Sequence, residues 1–188
     1  MALRNIVKDG EPVLKKKARP VTKFDDRLAQ LLDDMAETMM DADGLGLAAP
    51  QVGVLRRVFV AVEESTLYPL VDEDGNATEQ EPKILEFVNP EVRDKEGALL
   101  GYEGCLSFPG RYAAIERPLT AVVHAQDRHG KPFAYEAEGL MARCVCHETN
   151  HLDGITIDDL AYYFYDPDEP HELDETLHRA PDEVEEEA

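Results

Sequence analysis

The chain has 188 residues, 43% apolar and 31% charged, with a net charge of −21 and a pI near 4.5. That length and balance fit one soluble globular domain with enough chain to bury a core, and the strong negative charge argues against a broad nucleic-acid-binding face. No apolar run approaches the roughly 20 residues that span a bilayer, and Met1 to Gly10 carries Arg4, Lys8 and Asp9 with no apolar stretch of the secretory kind, so the expectation is a cytoplasmic protein without membrane contact.

Lys15, Lys16 and Lys17 form a short basic run that reads as a solvated turn. From Phe24 to Met40, Leu28, Leu31, Leu32, Met35 and Met39 recur at helical spacing, which predicts a helix with one core face. Thr22 or Asp25 caps its start, and Gly44 is its expected stop. Arg57 to Val62 is β-branched and apolar, a strand. The acidic stretch Glu63 to Lys83, with a turn signal at Asp74-Gly75, reads as an exposed hairpin or insert. Ile84 to Asn89 predicts another strand, ended by Pro90. Leu119 to Ala125 and Phe133 to Ala137 predict two strands joined by a turn over 127–130. Gly139 to Leu152 has helical composition and places Leu140, Cys144, His147 and His151 on one face. From Asp166 onward the chain is dominated by Asp and Glu, so the expectation is a catalytic domain over 1–165 and an acidic tail over 166–188. The class implied is α+β: a leading helix, antiparallel strands, then a helix carrying the chemistry.

That chemistry begins at His147-Glu148-Thr149-Asn150-His151, an H-E-x-x-H pattern. Helical positions four apart differ by only about 40° in direction, so both imidazoles reach one ion. Glu148 then stands beside the water as a general base. A catalytic site of this kind needs a third protein ligand. The metzincin continuation is excluded, because Ile157 occupies the place of its third histidine. Glu172 and Glu175 are available downstream, but glutamate is expected anywhere in so acidic a tail. Three cysteines remain: Cys105, Cys144 and Cys146. Cys144 shares the face of His147, Cys146 points away, and Cys105 lies in an extended Gly-containing segment. The pattern alone does not choose among them.

Three segments together resemble the peptide deformylase family. Gly44-Leu45-Gly46-Leu47-Ala48-Ala49-Pro50-Gln51 resembles its motif G-x-G-x-A-A-x-Q, Glu103-Gly104-Cys105-Leu106-Ser107 its E-G-C-L-S, and His147 to Leu152 its H-E-x-x-H-L. Their order matches too, as does the opening Val7-Lys8-Asp9-Gly10-Glu11-Pro12-Val13-Leu14, so the resemblance runs from about residue 3 to about 160. It implies antiparallel sheets packed around a central helix that carries H-E-x-x-H. It implies a cytoplasmic metal hydrolase that removes the N-formyl group from the formyl-methionine of nascent polypeptides. Cys105, His147 and His151 would hold one divalent metal, Fe2+ foremost, with Zn2+, Ni2+ or Co2+ possible substitutes. Glu148 would carry the proton; the Gln51 amide and the Leu106 N–H would stabilise the oxyanion. Gly44 and Gly46 would let the backbone approach the substrate closely and pair with its extended main chain. Leu45, Leu140, Cys144 and the aliphatic stem of Arg143 would line the methionine pocket.

The chain departs from the family pattern at Cys146, where glutamine is usual, and at Asn150, where aspartate is usual. It departs again in its tail: after Asp166 only Arg179 is a formal cation, so tight docking on the ribosome is not expected. Two other readings compete with the resemblance: a zinc endopeptidase using a tail glutamate, and a non-catalytic metal-binding protein. Intact Gln51 and Glu148 argue against the second.

Overall fold

A computed structural model describes residues 2–71, 77–78 and 80–165. After a 3-10 turn at Pro12–Lys15, helix α1 runs over Asp26–Asp41. Asp25 caps it, its carboxylate accepting from Leu28 N at 3.1 Å and so satisfying one of the helix's orphan donors. Leu28, Leu31, Leu32, Met35 and Met39 are all buried, as their spacing requires. The helix stop differs from the expectation. The left-handed position is Asp43, at φ 52°, and not Gly44. Asp43 N donates to Met40 O and Gly44 N to Met39 O, the paired bonds of a Schellman ending.

Among the described residues the strands form three antiparallel sheets. The largest has five strands: β1 (Gly46–Ala48), β2 (Val58–Val62), β5 (Ile84–Glu96), β8 (Thr120–Gln126) and β9 (Pro132–Glu138), in the order β1-β2-β5-β8-β9. Strands β3 (Leu70–Val71) and β4 (Ala77–Thr78) make a small hairpin within the acidic insert, whose Asp74-Gly75 turn lies outside the described residues. The third sheet has the order β10-β7-β6, with β6 at Leu99–Cys105, β7 at Phe108–Arg117 and β10 at Tyr163–Phe164.

Pro90 does not end its strand. β5 continues to Glu96, and its pairing with β8 slips between Val88 and Glu91. Asn89 sits at φ 52° there, and its side chain bonds both Val21 N and Val21 O in place of a strand neighbour. A bulge absorbs the missing N–H of proline, which a straight ladder could not do. The turn over 127–130 is present between β8 and β9.

Helix α2, Gly139–Leu152, lies between the sheets and touches β1, β2, β5, β7, β8 and β9. Its Met141, Ala142, Cys144, Val145 and Leu152 join Phe59, Phe87 and Val123 in one core cluster. The Phe59 and Phe87 rings stack there, 4.5 Å apart. A second cluster joins α1 to the other face of β2 through Leu28, Leu32, Met35, Val58 and Val60. The five-stranded sheet is thus covered by α2 on one side and α1 on the other. A short helix α3, Ile157–Leu160, follows α2. No helix among the described residues is long and apolar enough to cross a membrane. The acidic tail from Asp166 lies outside the described residues.

Candidate active site

One cavity of about 590 Å³ opens between the edge strand β1, the β6–β7 pair and the start of α2. Gly44, Leu45, Gly46, Gln51, Cys105, Leu106, Leu140, Arg143, Cys144, His147 and Glu148 all line it. His151, one helical turn deeper than His147, is 1% exposed. Sequence segments separated by about 100 positions therefore meet at one place.

At its floor the sulfur of Cys105 and one nitrogen from each of His147 and His151 lie within 4.8 Å of one another. Cys105 Sγ is 3.3 Å from His151 Nε2, and His151 Nε2 is 3.1 Å from His147 Nε2. Each position has a local cause. His147 and His151 share a face of α2 by helical period. Cys105 ends β6 where the β6–β7 register slips between Gly104 and Cys105, which turns the sulfur inward. Cys144 and Cys146 are buried on α2 and belong to no such group among the described residues. Burial pushes the Cys144 thiol well up, so it presents a neutral surface to the cavity.

Glu103, a motif residue with no role expected from sequence, is the hub of the site. It is 5% exposed, and its Oε2 accepts from His147 Nδ1 at 2.9 Å. Arg117 donates to both its oxygens, at 2.7 and 2.9 Å, and Arg143 adds a third bond at 2.9 Å. Burial opposes its charge, but Arg117 and His147 outweigh it and hold the carboxyl at about 2. With Nδ1 bonded in this way, Nε2 is the His147 nitrogen that faces Cys105 and His151.

The surroundings welcome a cation. Burial opposes charge on His147, yet Cys105 and Glu103 push it up to about 10. His151 is driven well down by burial and then by His147, so it is neutral and ready to donate a lone pair. A thiolate with two imidazoles is a donor set for a divalent transition metal, and the residues present fit one.

Glu148 points along the same face. Burial pushes it up to about 7, with Glu103 adding to the shift, which is the range a proton carrier needs at neutral pH. Its Oε2 has no hydrogen-bond partner among the described residues. The carboxylate fits only because Gly46 has no side chain: a Cβ there would stand 2.5 Å from Glu148 Oε1. A Cβ at Gly44 would stand 2.7 Å from Leu106 Cδ1. At either glycine a Cβ would force a neighbouring side chain to shift, a reason that cannot be read from the motif itself.

Gln51 sits on a 3-10 turn after β1 and is 1% exposed. Its Oε1 accepts from Ala48 N at 2.8 Å, which orients its amide NH2 toward Cys105 Sγ, 3.5 Å away, and Ser107 Oγ, 3.3 Å away. Lys8 Nζ holds Leu106 O at 2.9 Å. Arg143 does more than offer an aliphatic stem: beyond Glu103 it donates to the carbonyls of Leu99, Gly101 and Ile115, clamping α2 to the β6–β7 pair. Phe108, Tyr102 and Tyr112 also line the cavity, and sequence reasoning does not single them out. Aromatic residues on strands look like core until the fold shows one of them, Tyr112, to be exposed at the rim.

Known proteins resemble this chain over most of its length. Residues 3–162 match the polypeptide deformylase family. The peptide deformylase of Caldicellulosiruptor bescii is 48% identical over 169 residues, covering 90% of this chain and 92% of that protein. The crystal structure of the Thermotoga maritima peptide deformylase superposes with a TM-score of 0.74 at 37% identity, covering 87% of this chain and all of the other. That of the Legionella pneumophila peptide deformylase gives 0.73 at 38% identity, covering 88% of each chain.

Proposed function

The chain belongs to the peptide deformylase family and removes the N-formyl group from nascent peptides, and we propose that it does so with Cys105, His147 and His151 holding one divalent metal and Glu148 moving the proton. The gathering of one sulfur and two imidazole nitrogens within 4.8 Å beside Glu148 carries this assignment. A metal held there supplies Lewis acidity toward water and the formyl oxygen. Iron is the ion we assign first, because a thiolate donates enough charge to dampen zinc.

The residues divide the remaining work. The backbone at Gly44 and Gly46, which leads into the edge strand β1, accepts the peptide main chain as an added strand. Leu45, Leu140, Cys144 and the stem of Arg143 receive the methionine side chain. The Gln51 amide and the Leu106 N–H donate to the oxygen that becomes negative as the carbonyl carbon turns tetrahedral. Glu148 takes a proton from the attacking water and returns it to the departing amine, releasing formate. Residues 1–165 form the catalytic unit and 166–188 an acidic appendage. We place the protein in the cytoplasm, where formylated chains are made.

The test is formate release from formyl-Met-Ala-Ser by anaerobically prepared, iron-loaded protein. Cys105→Ala should lose the metal, whereas Glu148→Ala should keep it and lose turnover by at least about 100-fold. Activity indifferent to Cys105 would overturn the ligand set. The acidic tail implies weak ribosome affinity, so co-sedimentation with ribosomes should be slight and unaffected by removing residues 166–188. Tight binding lost with those residues would contradict this.

A further inference from the structure

Behind α2, on the side away from the substrate cavity, Asn150 Oδ1 accepts from Arg117 Nη1 at 2.5 Å. Arg117 closes β7 and grips Glu103 with its Nε and Nη2, and Glu103 in turn holds His147 Nδ1. The path leaves α2 at Asn150, one residue from His151 and three from His147, and returns to it at His147. On its way it crosses β7 and β6, and β6 ends in Cys105, two residues after Glu103. Three hydrogen-bonded links therefore tie the helix carrying two of the ligands to the strand carrying the third.

We propose that Asn150 and Arg117 are positioning residues for the metal: Asn150 fixes the Arg117 fork, Arg117 fixes Glu103, and Glu103 sets the His147 ring against Cys105. This rests on the ligand assignment above. The acceptor at 150 gives a guanidinium only 8% exposed a charge-assisted hydrogen bond that an apolar residue there could not supply. Lysine at 117 would keep the charge and lose the planar fork that grips Glu103 through two nitrogens. A second cavity of about 500 Å³ opens over Asn150 and Arg117, so substitutions at 150 are accommodated without overpacking.

The experiment measures Co2+ affinity of the full chain by competition with a chromophoric chelator, together with the thiolate-to-cobalt absorption band. Asn150→Ala and Arg117→Lys should each weaken binding by about 10- to 100-fold, the range for residues that orient a ligand, and shift the band. Asn150→Asp, which still accepts the bond, should restore affinity; Arg117→Lys reads the same chain of bonds if Asn150→Ala folds poorly. Wild-type affinity in both weakening variants, with binding lost in Cys105→Ala, would overturn this inference alone. Equal loss in Asn150→Ala and Asn150→Asp would also overturn it, since the acceptor would then be irrelevant. Binding retained in Cys105→Ala would instead overturn the ligand assignment.

Discussion

Single atoms decide this site more than whole side chains do. Gly46 is the clearest case. Its missing Cβ is the space occupied by the Glu148 carboxylate, which a methyl group would approach to 2.5 Å. Gly46→Ala should therefore displace the Glu148 carboxylate without touching Cys105, His147 or His151. We expect formate release to fall by at least about 100-fold while bound metal, measured by elemental analysis, stays stoichiometric. Retained activity would mean that the carboxylate works from another position. The motif shows that glycine stands at 44 and 46; it cannot show why. What a Cβ meets depends on a side chain about 60 or 100 residues away, so the functional reason is invisible until Leu106 and Glu148 are in place.

Among elements, α1 is legible and its surroundings are not. Period and cap place the helix within two residues, because a helix is built from contacts three and four positions apart. The N-terminal segment that straps across it carries no such signal. Ala2 N donates to Asp34 Oδ1, Arg4 Nη2 to Asp34 Oδ2, and Arg4 N to Thr38 Oγ1, at 3.0, 2.9 and 2.9 Å. Burial alone would raise Asp34, but Ala2, Gln30 and Arg4 together lower it from its ordinary 3.8. A carboxyl depressed on folding stabilises the folded state above its unfolded pKa, and that stabilisation disappears as pH falls through the folded value. Asp34→Asn should then cost about 1.5 kcal/mol at neutral pH, the lower end for hydrogen bonds to a charged group. In urea titrations the gap to wild type should hold above about pH 5 and close progressively below 3.8. A gap that widened in acid would refute the strap. Strand β5 teaches a related lesson. Pro90 reads as a stop in one dimension, yet Asn89 and the slip against β8 carry the strand past it.

For the whole molecule the governing quantity is charge. Even with every Lys and Arg paired, 21 acidic groups are left over. Surface pairs such as Arg93 with Glu91 are exposed and stabilise little, so self-repulsion outweighs them. Raising ionic strength from about 0.01 to about 0.15 M shortens the screening length from about 30 to about 8 Å. Tm should rise across that range, by several degrees, in scanning calorimetry. A fall would mean that ion pairs such as Lys15 with Asp158 and Asp159 dominate instead.

Composition, helical period and three short motifs were enough to determine the class of fold, the helix bearing His147, Glu148 and His151, and the family, because each is written in neighbouring residues. The tertiary structure decided what depends on distant residues meeting. It set Cys105, and neither cysteine of α2, beside the two imidazoles. It made Glu103 the hub between two arginines and His147, and it turned Asn150 from a departure in a pattern into the first link of a chain of bonds ending at His147. Those contacts join positions 14 to 46 residues apart. No local periodicity encodes them; they exist only once both sheets have closed on α2.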